Sequence, residues 1–198
     1  MGSKISTSME HILEKLFESP AKVRVMRIFV RNPEETFTLP VISQKSQVRK
    51  RVVRRELGKL LNIGLVKKKT VKKVRIFFTN TEFRLLPELK DLIIKDAVAS
   101  KKDLLLKAKR LGNIKLIIIS GVFINSEQSR TDMLIIGDGI KRSKLERFLT
   151  DIESELGRPL QYTVMDLDEF KYRMNMYDRF LKDIFEYPHE KLINRLKI

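Results

Sequence analysis

The chain has 198 residues, of which 42% are hydrophobic, enough for one large core or two small ones. It has no cysteine, which removes disulfides, thiolate zinc sites and cysteine nucleophiles together. Its two histidines, His11 and His189, lie too far apart in sequence and in contexts too unlike for a metal or triad site. The formal charge of +16 is concentrated: between Lys45 and Arg75 stand thirteen lysines and arginines against one acid, Glu56. Such a block points to a polyanion, with nucleic acid ahead of an anionic membrane surface.

No apolar run approaches the roughly eighteen residues of a membrane span, and "MGSKISTS" lacks the apolar stretch of a signal peptide. No membrane partner and a cytoplasmic location are expected.

In chain order, "MEHILEKLFESP" places Ile12, Leu13, Leu16 and Phe17 at helical spacing and stops at Ser19-Pro20. "AKVRVMRIFVRN" makes a second helix on Val23, Met26, Ile28, Phe29 and Val30, ended by Asn32-Pro33. Thr38 then reads as the N-cap of a short helix, "LPVISQKSQ", with Pro40 in its first turn. A long helix follows, "QVRKRVVRRELGKLLNIG", stopped by Gly64. At 100° per residue its Val53, Leu57, Leu60 and Leu61 share one side, while Val48, Arg51, Arg55 and Gly58 fall opposite and Arg54 lies on the shoulder. "LVKKKTVKKVRIFFTN" reads as two strands, roughly 65–69 and 73–79, around a tip at Thr70-Val71.

Helix, short helix, turn, basic helix and basic hairpin is the order of the winged helix-turn-helix family. Residues 9–80 resemble that family, chiefly through "RRELGKLLNIGLVKKK". The physical logic agrees: a helix fits the major groove, arginine forks match guanine edges, and hairpin lysines hold phosphates. Gln47, Arg51, Arg54 and Arg55 are expected to face double-stranded DNA, with Lys67, Lys68, Lys69, Lys72 and Lys73 on its backbone.

A connecting helix over Phe83–Ala99 carries Leu85, Leu86, Leu89, Leu92 and Ile93, a stripe that serves either local packing or dimerisation. From Ile114 the chain reads strand, loop, strand, helix, strand, helix and helix, and the runs "LIII" and "MLII" mark strands buried on both faces.

Here "LIIISGVFINSEQSRTDMLIIGD", residues 116–138, resembles the minimal nucleotidyltransferase family. That resemblance implies a Gly-Ser turn on phosphate, an Asp-x-Asp pair holding Mg²⁺ ions that bridge a triphosphate, and a third carboxylate on a later strand that helps activate the acceptor hydroxyl. Gly121 matches the glycine, but Val122 replaces the serine. Asp132 matches the second acid, which puts Arg130 at the first, and "LQYTVM" supplies Gln161 and Tyr162 but no carboxylate. One acid of three does not hold two hard cations, so no catalytic residue, metal or cofactor is expected. Asp138, Asp168 and Glu169 fall outside the motif positions, and Asp166 reads as a helix N-cap. Gly121, Arg130 and Asp132 remain as a degenerate nucleotide site, with Arg130 replacing metal against phosphate.

With "KLERFLTDIESELGRPLQYTVMDLDEFKYRM" following, the whole chain resembles bacterial regulators that join a winged helix to a nucleotidyltransferase-like domain without its catalytic residues. The expected fold is α+β in two domains. Residues 9–82 form the DNA-binding domain, 83–112 the connecting helices, and 113–198 an inactive nucleotidyltransferase-like α/β sheet with flanking helices. The expected function is DNA-binding transcriptional regulation, with a nucleotide or protein effector and a homodimer on paired half-sites. The competing readings are a divergent minimal nucleotidyltransferase, of antitoxin type or directed at nucleic acid, and a non-specific nucleic-acid binder.

Overall fold

In a computed structural model the described residues are 12–99, 101–124, 126 and 128–198, without the side chains of 97–103. Residues 9–11 of the expected first domain, His11 among them, lie outside the described residues.

Ser19 and Pro20 end one helix and begin the next. After α1 (Ile12–Leu16), the Ser19 hydroxyl accepts the Lys22 amide at 3.1 Å, and Pro20 occupies a first turn that needs no N–H, opening α2 (Pro20–Arg31). Seven residues of α2 are buried, from Val23 through Val30, so this helix is packed on several sides at once. A strand that the sequence reading lacks comes next, β1 (Thr36–Thr38), then α3 (Leu39–Ser46) and α4 (Lys50–Asn62). Thr38 does occupy the N-cap of α3, but its side chain makes no capping bond there.

The hairpin of β2 (Val66–Val71) and β3 (Val74–Thr79) completes an antiparallel sheet of order β1-β3-β2. Its tip corrects the expected Thr70-Val71 turn: Val71 pairs with Val74, and the two turn residues are Lys72 and Lys73, at φ 46° and 64°. Both are left-handed, as the favoured two-residue hairpin turn requires.

Phe29, Ile42, Val53, Leu57, Leu60 and Phe77 form the first core. From α5 (Leu86–Ala99), Ile93 is buried in that core with Leu86 and Leu89 beside it. That side of the leucine stripe is local packing, while Leu85 and Leu92 stay exposed. Arg27, only 2% exposed, reaches from α2 to Asp96 of α5, whose other oxygen takes the Leu13 amide at 3.4 Å.

The second sheet joins β4 (Asn113–Ile119), β5 (Met133–Asp138), β6 (Tyr162–Met165) and β7 (Glu190–Asn194) in the order β6-β5-β4-β7, with only the β5–β6 pair parallel. Helices α6 (Lys101–Ala108), α7 (Arg142–Leu156), α8 (Leu167–Asn175) and α9 (Arg179–Glu186) cover it. Strand alternation sends Leu116, Ile118, Leu134 and Ile136 towards Phe170, Leu181 and Ile184. Ile117, Ile119, Met133 and Ile135 pack with Phe148, Leu149 and Ile152 on the other side. The continuous apolar runs thus reflect a sheet covered on both faces. Asp166 caps α8 through the Glu169 amide at 2.7 Å. Strand β7 is the other element the sequence reading lacks.

One seam joins α2 to the end of α7. Gly157, at φ 75°, caps α7, and the Asn32 amide group donates to both the Gly157 and Ile28 carbonyls at 2.7 Å. A Cβ on Gly157 would stand 2.6 Å from the Arg27 carbonyl carbon, so backbone meets backbone here. The architecture is mixed α+β with two sheets, and no helix among the described residues is long and apolar enough to cross a membrane.

Candidate nucleic-acid interface and adjoining cleft

Most of the basic block folds onto α4 and the neighbouring β2–β3 hairpin. Val53, Leu57 and Leu60 root α4 in the first core and leave Arg51, Arg54 and Arg55 exposed. Helix α4 begins at Lys50, later than the sequence pattern implies, so Gln47 is not part of it. Gln47 is the left-handed C-cap of α3, at φ 54°, and its amide donates to the Gln44 carbonyl at 2.7 Å.

The three arginines are not equivalent, because Glu56 is entirely buried beneath them. Arg55 Nε donates to Glu56 Oε1 at 2.9 Å, and Lys59 Nζ lies 3.1 Å from Oε2. Burial pushes the Glu56 carboxyl up, but the bonds from Lys59 and Arg55 outweigh it and hold the group below its ordinary 4.5. Arg55 therefore shares its charge with an internal carboxylate. Arg51 and Arg54 make no ion pair with any described residue.

The hairpin lysines divide by strand parity. Lys68 lies opposite Phe77 and shares its inward face, whereas Lys67 and Lys69 lie opposite Phe78 and Ile76 on the outer one. Lys67 pairs with Glu82 at 3.0 Å, and Lys69 stands 5.5 Å from the Phe78 ring centroid. Inside, Arg54, Lys68, Lys73 and Arg75 rim a groove of about 550 Å³ whose floor includes Leu57, Gly58 and Phe77. Arg75 is absent from the sequence-derived set. The signal for it is its pairing with Thr70, two positions along from Lys68 on the same face. A Cβ on Gly58 would meet nothing within 4 Å, so internal packing does not demand glycine there.

At the second sheet, Asp132 is buried and both of its oxygens are occupied. Oδ1 accepts the Val122 amide at 2.8 Å and Oδ2 the Gln161 amide at 3.0 Å. The carboxylate thus fastens the 3₁₀ turn Gly121–Phe123 and the chain entering β6 onto β5. Arg130 lies elsewhere than the sequence alignment implied: 57% exposed, its Nε contacts Asp183 of α9 at 3.1 Å, and it does not line the cleft beside Gly121. Metal ligation does not fit these residues, since the one matching carboxylate is engaged by two N–H donors. Among the described residues no three acidic or histidine side chains gather in a metal-holding group.

The cleft beside Gly121 draws its cations from other elements. About 370 Å³ in volume, it is lined by Arg31 at the end of α2, Lys90 of α5, Arg158 after α7, and by Asp132 and Gln161. Burial, then the neighbouring Arg158, lowers the Arg31 pKa, and Asp132 offsets this only in part. Sequence reasoning overlooks Arg31 and Arg158 because they are distant in the chain and meet only through the α2–α7 seam. No family model, curated protein or solved structure matches the chain.

Proposed function

We propose that the chain is a transcriptional regulator that binds duplex DNA through a winged helix-turn-helix, and that the second sheet belongs to a nucleotidyltransferase-like unit without catalysis. The observation that carries this reading is the shared groove: Arg54 of α4 faces Lys68, Lys73 and Arg75 of the hairpin across one concave surface, with Arg51 exposed on the same helix. The order of short helix, basic helix and basic hairpin supports the same reading. In this reading α4 enters the major groove, where arginine forks pair with guanine edges, and the hairpin lies against phosphates.

Chemistry divides the labour. Arg51 and Arg54 are the base readers and Arg55 a weaker one, while Lys68, Lys72, Lys73 and Arg75 neutralise phosphate. Replacing a base reader should cost about 1–3 kcal/mol at its own base pair, and replacing a hairpin cation should weaken every duplex and lower the salt slope by about 1.

The test is selection from a random duplex pool at physiological salt, with an Arg51/Arg54/Arg55 triple-alanine variant in parallel. An enriched motif that the variant loses is the expected result, and its spacing would report paired half-sites. Tight binding without a motif would reduce the basic block to an electrostatic anchor and remove sequence-specific regulation. For the second sheet, no transfer of labelled nucleotide with Mg²⁺ or Mn²⁺ is expected.

A further inference from the structure

We propose that the cleft between α2, α5 and the Gly121 turn binds a small phosphate-bearing anion, without metal, on Arg31, Arg158 and Lys90. This goes beyond the DNA-binding reading and does not depend on it. Three cations from three separate elements line one cleft, and the carboxylate described among the lining residues, Asp132, accepts two backbone amides. Neither Arg31 nor Arg158 has an ion-pair partner among the described residues, although each is half-buried. Arg31 and Arg158 line the same cleft, and after burial the Arg158 guanidinium is the next cause of the lowered Arg31 pKa, which Asp132 offsets only in part. Like charges held together in a partly desolvated place are relieved by an anion between them.

Size and donor geometry define the ligand. A volume of about 370 Å³ falls in the range of small-molecule sites and is too small for a duplex. Guanidinium forks match phosphoryl oxygens in pairs, and a phosphoryl group offers three acceptors where a carboxylate offers two. Gly121 lets the chain pass close beside Asp132 at the cleft wall, since a Cβ there would stand 2.2 Å from Oδ1. Arg130, the sequence-derived phosphate partner, has no part in this site.

The location gives the ligand leverage. Arg31 is the last residue of α2, and α2 packs against α4 in the first core. Arg158 follows Gly157, the residue that meets the α2 backbone. An anion held by both arginines therefore ties together the two sides of the α2–α7 seam, and it stabilises the folded chain by mass action.

Titration calorimetry and thermal unfolding with pyrophosphate, ATP and GTP, each without divalent metal, test the proposal on the full chain. At least one probe should raise the unfolding temperature in a dose-dependent way. Arg158→Ala should weaken that response by about tenfold or more, the usual scale for losing a charge-assisted bond in a partly buried site. Lys90→Ala, at an exposed position, should weaken it less and guards against a folding failure in the arginine variant. Arg130→Ala and the α4 triple-alanine variant should respond like the wild type. Absence of binding by every probe at millimolar concentration overturns the proposal. So does equal binding by Arg158→Ala and Lys90→Ala together with loss in the α4 variant, which would place the anion on the basic block instead.

Discussion

Asp132 and Gly121 are built for one another: a Cβ on the glycine would stand 2.2 Å from the Asp132 oxygen that accepts the Val122 amide. The glycine also sits at φ 51°, where an L side chain is strained. Gly121→Ala should therefore destabilise the fold by about 2 kcal/mol or more, and Asp132→Ala by about 1–3 kcal/mol for each amide it orphans. Urea unfolding checks both. A stability change near zero for Asp132→Ala would mean that the carboxylate is not a structural clamp.

Gly157→Ala should be among the most damaging single changes. The added methyl would overlap the Arg27 backbone, which is not the movable end of a side chain, and φ 75° adds strain. Asn32→Ala, which removes two side-chain bonds at the same seam, should cost about 1–3 kcal/mol. The two effects should be less than additive, because both act on one contact. A double-mutant cycle measures this.

Glu56 makes stability depend on pH in a fixed direction. Its folded pKa lies below the ordinary 4.5, so the unfolded chain binds the proton first. Stability from this group is present above pH of about 4.5 and is lost as pH falls through the lower folded value. Glu56→Gln should flatten the acid limb of a denaturation profile and free Arg55 from its partner. An unchanged acid limb would contradict the assignment.

Gly58→Ala separates stability from binding. Alanine gains about 1 kcal/mol over glycine within a helix, and its methyl here meets no atom within 4 Å. The variant should unfold at a higher temperature and yet bind duplex more weakly, since the methyl projects into the groove rimmed by Arg54 and Lys68. Band-shift titration beside calorimetry reads both effects.

The hairpin tip offers a similar trade. Lys72 and Lys73 hold left-handed backbone that costs non-glycine residues about 1–2 kcal/mol each. Replacing them with Asn-Gly, the pair this turn prefers, should raise stability while making the fall of duplex affinity with salt shallower by about two counterions. An unaltered salt slope would remove these two lysines from the phosphate contacts.

How far this architecture was legible depends on length and repetition. Helices α2 and α4 declare themselves by apolar residues at helical period, strands β4 and β5 by continuous apolar runs, and α8 by Asp166 at its start. Strand β1 has three residues, too few to establish an alternation, and β7 carries only two apolar residues, Leu192 and Ile193, side by side rather than alternating. The hairpin tip was misplaced by two residues because the apolar Val71 looks like the end of a strand and in fact pairs with Val74. Arg51, Arg54 and Arg55 are exposed as the helical period requires. Gln47 is not on that helix, since a left-handed residue interrupts the pattern. Arg31 and Arg158 belong to a site that only tertiary packing creates, and no local pattern announces it.

The pairing of Arg27 with Asp96 bears on how the chain can be divided. A fragment ending near residue 82 keeps the arginine of α2 and discards both its counter-charge on α5 and Ile93, a buried member of the first core. Losing that pair together with the apolar cover from Ile93, Leu86 and Leu89 costs about 3 kcal/mol or more, a large share of what a small domain has in reserve. The smallest autonomous piece that carries α4 and the hairpin thus extends through α5, and truncations made before that helix should be destabilised for reasons unrelated to the basic residues of α4 and the hairpin.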